Sequence, residues 1–215
     1  MGSYLTISGE SSAELEIKRS VFSSFAKNAQ SAEEAIEYIN AQKKANVNAR
    51  HVAYAYAFGD NRQVVKFFDA GEPARTAGKP ILGAIEQMDL SDVVVVVARV
   101  FGGVKLGASG LARAYSNAAS FALKNAAIVE RNQGFRCRIQ ASHKDYDRQT
   151  TLLEQSGCRI VEIDYSMDEP VVVFLALGSV LMDLPGKLSQ IAGKKMDIAI
   201  LGEEVIDLEI GGGSR

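Results

Sequence analysis

Tryptophan is absent from these 215 residues, and cysteine and histidine occur only twice each. Cys137 and Cys158 stand well apart in the chain, which fits a reducing cytoplasm better than a disulfide-stapled secreted domain. Two histidines and two cysteines at these separations offer no zinc-ligand spacing. No apolar run approaches the roughly 18 residues that cross a bilayer, so no membrane contact is expected. The N-terminal MGSYLTISGESS lacks a basic segment followed by an apolar one and does not read as a secretory leader. Met1-Gly2-Ser3 and the terminal GGGSR look like linker remnants outside the fold. The GxSxG, GxxxxGK[ST] and GxGxxG patterns are all missing, and no cysteine neighbours a histidine. No catalytic group, metal or cofactor is therefore expected.

A large positive excess is missing too. Lys+Arg number 24 against 26 Asp+Glu, for a net charge of −2, which argues against wholesale coating of nucleic acid. The charge is unevenly spread, however. Residues 1–132 hold 15 cations against 13 anions, and residues 133–215 hold 9 against 13. Acidic side chains are absent altogether from Val93 through Val129.

What fills that acid-free stretch is the most informative feature of the chain. Five valines, Val93 to Val97, lead into ARVFGGVKLGASGLARAY, where Gly102, Gly103, Gly107 and Gly110 are interspersed with Arg99, Lys105 and Arg113. An apolar strand, a glycine-rich turn and a helix N-terminus form the general plan of an anion site, because exposed N–H groups and the helix dipole both favour negative charge. The alternative is a tight turn whose glycines supply positive φ. Arg113 is expected in the first helical turn, where it opposes the dipole unless an anion binds or a carboxylate such as Glu72 pairs with it. A second concentration, GEPARTAGKP from Gly71 to Pro80, combines Glu72, Arg75, Thr76 and Lys79 ahead of a proline-started helix with its own free N–H groups. Asp69 and His51 are further candidates for a ligand loop, although a lone histidine facing alanines is more often structural.

Around these motifs the periodicity predicts a mixed α+β chain of two domains, 1–132 and 133–215. Residues 14–27 alternate as a strand or a bent pair of strands. Ser31 and Glu34 form a capping box that opens a helix with Ala35, Ile36 and Ile39 on its apolar stripe. His51 to Phe58 alternates strictly between Val52, Tyr54, Tyr56, Phe58 and an all-small face, as expected of a strand covered on both sides. Val64 to Phe68 returns as its hairpin partner. A short helix (81–88), a buried strand (92–100) and a helix through Leu111, Tyr115, Ala118 and Ala122 complete the first half. Arg131-Asn132-Gln133-Gly134 reads as a linker. Beyond it the order strand, helix, strand, strand, helix, strand is the ferredoxin-like βαββαβ plan.

Three separated segments, HVAYAYAF from His51, GEPARTAGKPIL from Gly71 and the whole of VVVVVARVFGGVKLGASGLARAY, resemble the signature of the IMPACT family over about residues 15–130. The resemblance implies an N-terminal fold like the second domain of ribosomal protein S-five, shared with domain four of elongation factor G. It also implies a C-terminal ferredoxin-like module resembling another domain of that factor, and a role in translational control. The implied function is a non-enzymatic binding protein contacting RNA, the ribosome or a translation-associated protein through the basic glycine-rich turn. The alternative is an enzyme or sensor for a small phosphorylated ligand, with His51 and Glu72 as acid–base groups. The family pattern usually carries cysteine where Ala53 stands, a second aspartate at Ala70, tyrosine at Val100 and glycine at Ser109. Losing the acidic neighbour of Asp69 weakens a metal or acid–base role for that loop, and Ser109 is expected to serve as an N-cap.

Overall fold

A computed structural model describes residues 3–166 and 168–210. Met1, Gly2 and the terminal GGGSR, expected to be linker-like, lie outside the described residues apart from Ser3. The chain divides into two compact units, Tyr4–Glu130 and Arg131–Leu208. Secondary structure is mixed α+β, as the periodicity predicts.

In the first unit β2 (Glu10–Ile17), β3 (Ser20–Asn28), β4 (His51–Phe58), β5 (Val64–Phe68) and β6 (Val93–Val100) form one sheet in the order β2-β3-β6-β4-β5. Every neighbouring pair is antiparallel. The remaining elements are β1 (Tyr4–Ser8), α1 (Ala32–Ala45), α2 (Gly78–Gln87) and α3 (Gly107–Lys124). The valine run is apolar on both faces because β6 is the central strand and both of its faces are buried. Val93, Val95 and Val97 join Ala53, Ala55 and Ala57 under α2 and α3. Val94 and Val96 join Tyr56 and Phe58 under α1. The alanine face of β4 is what lets helices approach the sheet closely on that side.

α1 opens as expected. The Ser31 hydroxyl accepts from Glu34 N at 3.2 Å, while Glu34 returns a bond to Gln30 N rather than to the cap residue's own amide. Its apolar stripe differs from the reading above: Ile36 is 47 % exposed, and Tyr38 is buried with Ala35 and Ile39 instead.

The second unit carries β7 (Ala127–Gln140), α4 (Tyr146–Gln155), β8 (Arg159–Asp164), β9 (Val171–Leu177), the short α5 (Gly178–Leu181), α6 (Leu184–Ala192) and β10 (Ala199–Glu209). β10 pairs with β7, β7 with β9 and β9 with β8, so the βαββαβ order closes into one sheet. Residues 131–134 are strand, not linker. Arg131 is buried and donates two 2.8 Å bonds to the Asp207 carboxylate, which keeps this polar stretch in the sheet. A side chain at Gly134 would collide with Ile206 and the Ala176 carbonyl. Cys137 and Cys158 are free and buried in this unit's core; burial raises both thiols, Cys158 to about 11. Among the described residues no helix is long and apolar enough to cross a membrane.

Candidate functional site

The chemistry gathers at one end of the first unit's sheet. His51 opens β4 and lies directly across from Arg99 near the end of β6. Arg99 follows the parity of Val93, Val95 and Val97, and His51 that of the β4 alanines, so both belong to the sheet face covered by α2 and α3. From β6 the chain passes through residues 101–106 into α3. The loop between β5 and α2 folds back over the same end and brings Glu72 to Arg99.

The centre of the site is a buried ion pair. Arg99 Nη1 donates to Glu72 Oε1 at 2.6 Å, and the two side chains are 6 % and 4 % exposed. The Tyr115 hydroxyl, from α3, donates to the same oxygen at 2.9 Å. Burial, followed by the charge of Glu72, raises the Tyr115 hydroxyl far above the ordinary phenol range and keeps it a donor. The Arg99 guanidinium lies between the rings of Phe22 and Phe101, 5.5 Å and 5.4 Å from their centroids. Its Nε is buried without a hydrogen-bond partner among the described residues.

Around the pair lies a cleft of about 400 Å³ lined by Arg50, His51, Glu72, Pro73, Arg99, Phe101, Lys105, Leu106, Gly107, Ala108 and Leu111. His51 Nδ1 sits 2.9 Å from the Ala70 carbonyl oxygen. A carbonyl only accepts, so Nδ1 is the donor of this bond. Lys105 is exposed and makes no ion pair with the described residues.

The two helix N-termini named above differ. At α2 the amides of Ala77 and Gly78 donate to Asp69 Oδ1 at 3.0 and 2.8 Å, and Arg75 N donates to Asp69 Oδ2 at 2.9 Å. Burial pushes the Asp69 carboxyl up, but these three donors outweigh it and hold the group below its ordinary value. The protein's own carboxylate therefore occupies the α2 end, which is closed to an added anion. Asp69 is the anchor of a loop that places Ala70, Gly71 and Arg75 at positive φ. Thr76 belongs to the same scaffold, bonding Pro73 O through its hydroxyl at 2.7 Å.

At α3 the amides of Gly107, Ala108 and Ser109 have no hydrogen-bond partner among the described residues, and the first turn holds no acid. The helix starts after Leu106, so Ser109 lies inside it, not at the cap, and no side chain caps this end. For the same reason Arg113 falls in the second turn. It is exposed, and Glu72 pairs with Arg99 in its place, so the expected conflict with the dipole does not arise. Arg75 and Lys79 are also exposed and do not line the cleft; Lys79 reaches Glu86 at 3.5 Å.

The glycines separate in the same way. A Cβ on Gly102 would lie 2.0 Å from the Arg19 backbone, so this glycine serves strand packing. Gly103 and Gly107 hold φ of +86° and +72° with open space before them, and Gly110 meets only Leu106 Cβ, at 3.3 Å. Arg50, Phe101 and the role of Tyr115 were not singled out in the sequence. Their signal is positional: Arg50 precedes His51 on its strand, Phe101 follows Arg99 by two, and Tyr115 stands one helical turn beyond Leu111. Among the described residues no three His, Cys, Asp or Glu side chains gather as a metal site would need.

Fold and site together define an α+β protein whose first unit carries a cleft beside a helix N-terminus that no side chain caps. Residues 18–123 match the family model described as Impact N-terminal domain. The chain is 37 % identical over 167 residues to the IMPACT family member YvyE of Bacillus subtilis, covering 76 % of each protein. It is 49 % identical over 110 residues to an IMPACT family member of Thermus thermophilus, covering 51 % of this chain and 58 % of that one. A solved structure titled only as a hypothetical protein superimposes with a TM-score of 0.61 at 25 % identity, over 93 % of this chain and 97 % of the other. The chain belongs to the IMPACT family.

Proposed function

We propose that this protein is a non-enzymatic RNA-binding component of translational control, and that the cleft at the start of α3 holds a backbone phosphate of its RNA. The open amides of Gly107, Ala108 and Ser109, set beside the unpaired Lys105, carry this reading. Such a helix end offers N–H donors and a positive dipole to one phosphate, and Lys105 and Arg50 add charge at the rim. The link to translation comes from the family. The family resemblance also implies an S-five-like first unit and a second module like one of elongation factor G, which agrees with this reading.

An enzyme acting on a small phosphorylated ligand has less support. Glu72, one of its two acid–base candidates, is already committed to Arg99 and Tyr115. A small phosphorylated ligand other than a guanine nucleotide that raises the melting temperature by mass action would restore that alternative.

The test is binding of a labelled single-stranded RNA to the full chain by fluorescence anisotropy across salt concentrations. Arg50→Ala with Lys105→Ala is expected to weaken binding and to flatten the slope of log K against log salt by about 0.7 for each phosphate contact removed. Unchanged affinity in the double variant would overturn the proposal.

A further inference from the structure

The floor of the cleft does not suit a site meant for phosphate alone. Glu72 lines it, and a carboxylate repels an anion placed beside it. Only one of its oxygens is used: Oε1 takes both the Arg99 and the Tyr115 bonds. Oε2 accepts nothing from the described residues and is not fully enclosed, on a residue that lines the cleft. Arg99 Nη2 stands the same way, with no partner among the described residues and not enclosed. The floor thus shows one charged acceptor next to one charged donor. Stability alone does not explain the pair, because a buried ion pair contributes little that a packed apolar pair would not. Phe101, stacked on the Arg99 guanidinium, is 46 % exposed and leaves a large part of its surface uncovered.

An acceptor and a donor side by side, next to an exposed aromatic ring, match the Watson–Crick edge and the face of a nucleobase. A carboxylate oxygen requires N–H donors. Guanine presents two adjacent ones, N1–H and the 2-amino group, with the O6 acceptor beside them. Uracil offers a single N–H between two carbonyls that the carboxylate repels. A volume of about 400 Å³ accommodates one nucleotide, not a duplex. In a duplex, moreover, this base edge is already paired.

We infer that the cleft captures one unpaired guanosine of single-stranded RNA. Its base edge meets Glu72 Oε2 and Arg99, its ring lies against Phe101, and its phosphate sits at the α3 N-terminus. This rests on the RNA reading above and adds strand and base selectivity to it.

The experiment measures the full chain against four probes: decauridine, the same oligomer with one central guanosine, that oligomer annealed to its complement, and an inosine version lacking the 2-amino group. The guanosine is expected to raise affinity at least about fivefold over decauridine. Annealing should abolish the gain, and inosine should reduce it. Phe101→Ala, at an exposed position, and Glu72→Gln should each bring the affinity for the guanosine oligomer down to that of decauridine measured on the same variant; Phe101→Ala decides the matter if Glu72→Gln fails to fold. Equal affinity for all four probes, or a guanosine gain that survives Phe101→Ala, overturns the inference and leaves the RNA reading standing. No binding to any probe overturns both.

Discussion

Glu72 Oε1 receives two donors, Arg99 Nη1 at 2.6 Å and the Tyr115 hydroxyl at 2.9 Å, and removing them has unequal consequences. Arg99→Met strands a carboxylate that is only 4 % exposed, with one neutral donor left, and is expected to cost about 3–5 kcal/mol. Tyr115→Phe keeps the ion pair and loses one bond to a charged group, for about 1.5–3 kcal/mol. Arg99→Met combined with Glu72→Leu should recover most of the first loss, since no unpaired charge remains. Urea unfolding of the three variants checks the order; a double variant no better than Arg99→Met would contradict it. Asp69 acts differently, because its stabilisation depends on ionisation. Its folded carboxyl lies below the ordinary value, so the benefit is present above the unfolded pKa of about 3.9 and disappears as pH falls through the folded value. Asp69→Asn should lower the melting temperature at neutral pH, with the gap to the parent closing below about pH 4. A gap independent of pH would show that the three N–H bonds owe nothing to charge.

At the scale of elements, the glycines of the turn into α3 are one run in the sequence and three kinds of position in the fold. Gly102→Ala puts a methyl 2.0 Å from the Arg19 backbone, which cannot move aside without breaking the β2–β3 hairpin, and should cost 3 kcal/mol or more, by about the upper range for overpacking. Gly103→Ala meets open space but must hold φ of +86°, a strain of about 1–3 kcal/mol. Gly110→Ala gains helix propensity of about 0.5–1 kcal/mol against a contact of 3.3 Å with Leu106, and should leave the melting temperature level or slightly raised. A Gly102→Ala protein as stable as the Gly110→Ala one would refute this division. Much of the element pattern was legible beforehand, since it follows local periodicity. The alternation of His51 to Phe58 and the unbroken valines each reflect two buried faces, and the βαββαβ order of the second unit follows from its periods. What escaped is long-range. Nothing near Glu72 in the chain says that its partner is Arg99, 27 residues on, and not Arg113. Asp69 closing the α2 end depends on a loop with three residues at positive φ, two of them not glycine. The polar RNQG stretch looked like a linker because the Asp207 that holds Arg131 lies 76 residues further along.

For the whole molecule the net charge of −2 sets how RNA binding should respond to salt. A polycationic surface would neutralise many phosphates and show a steep dependence. Here Asp+Glu outnumber Lys+Arg, 26 to 24, and several of the cations are held in ion pairs: Lys27 with Glu10, Arg62 with Asp89, Lys79 with Glu86, Arg131 with Asp207 and Arg136 with Glu162. The cleft leaves Lys105 and Arg50 for phosphate, because Arg99 is neutralised by Glu72. Two contacts on a single strand release counterions in proportion, so log K should fall against log salt with a slope of about −1.4. Titrations between low and physiological salt measure it directly. A slope several times steeper would mean that a broad basic face outside the cleft carries the binding, and the local site at α3 would then be incidental to it. A slope near the expected value makes the uncapped helix and two rim cations sufficient for the electrostatic part, and leaves selectivity to the buried pair beneath them.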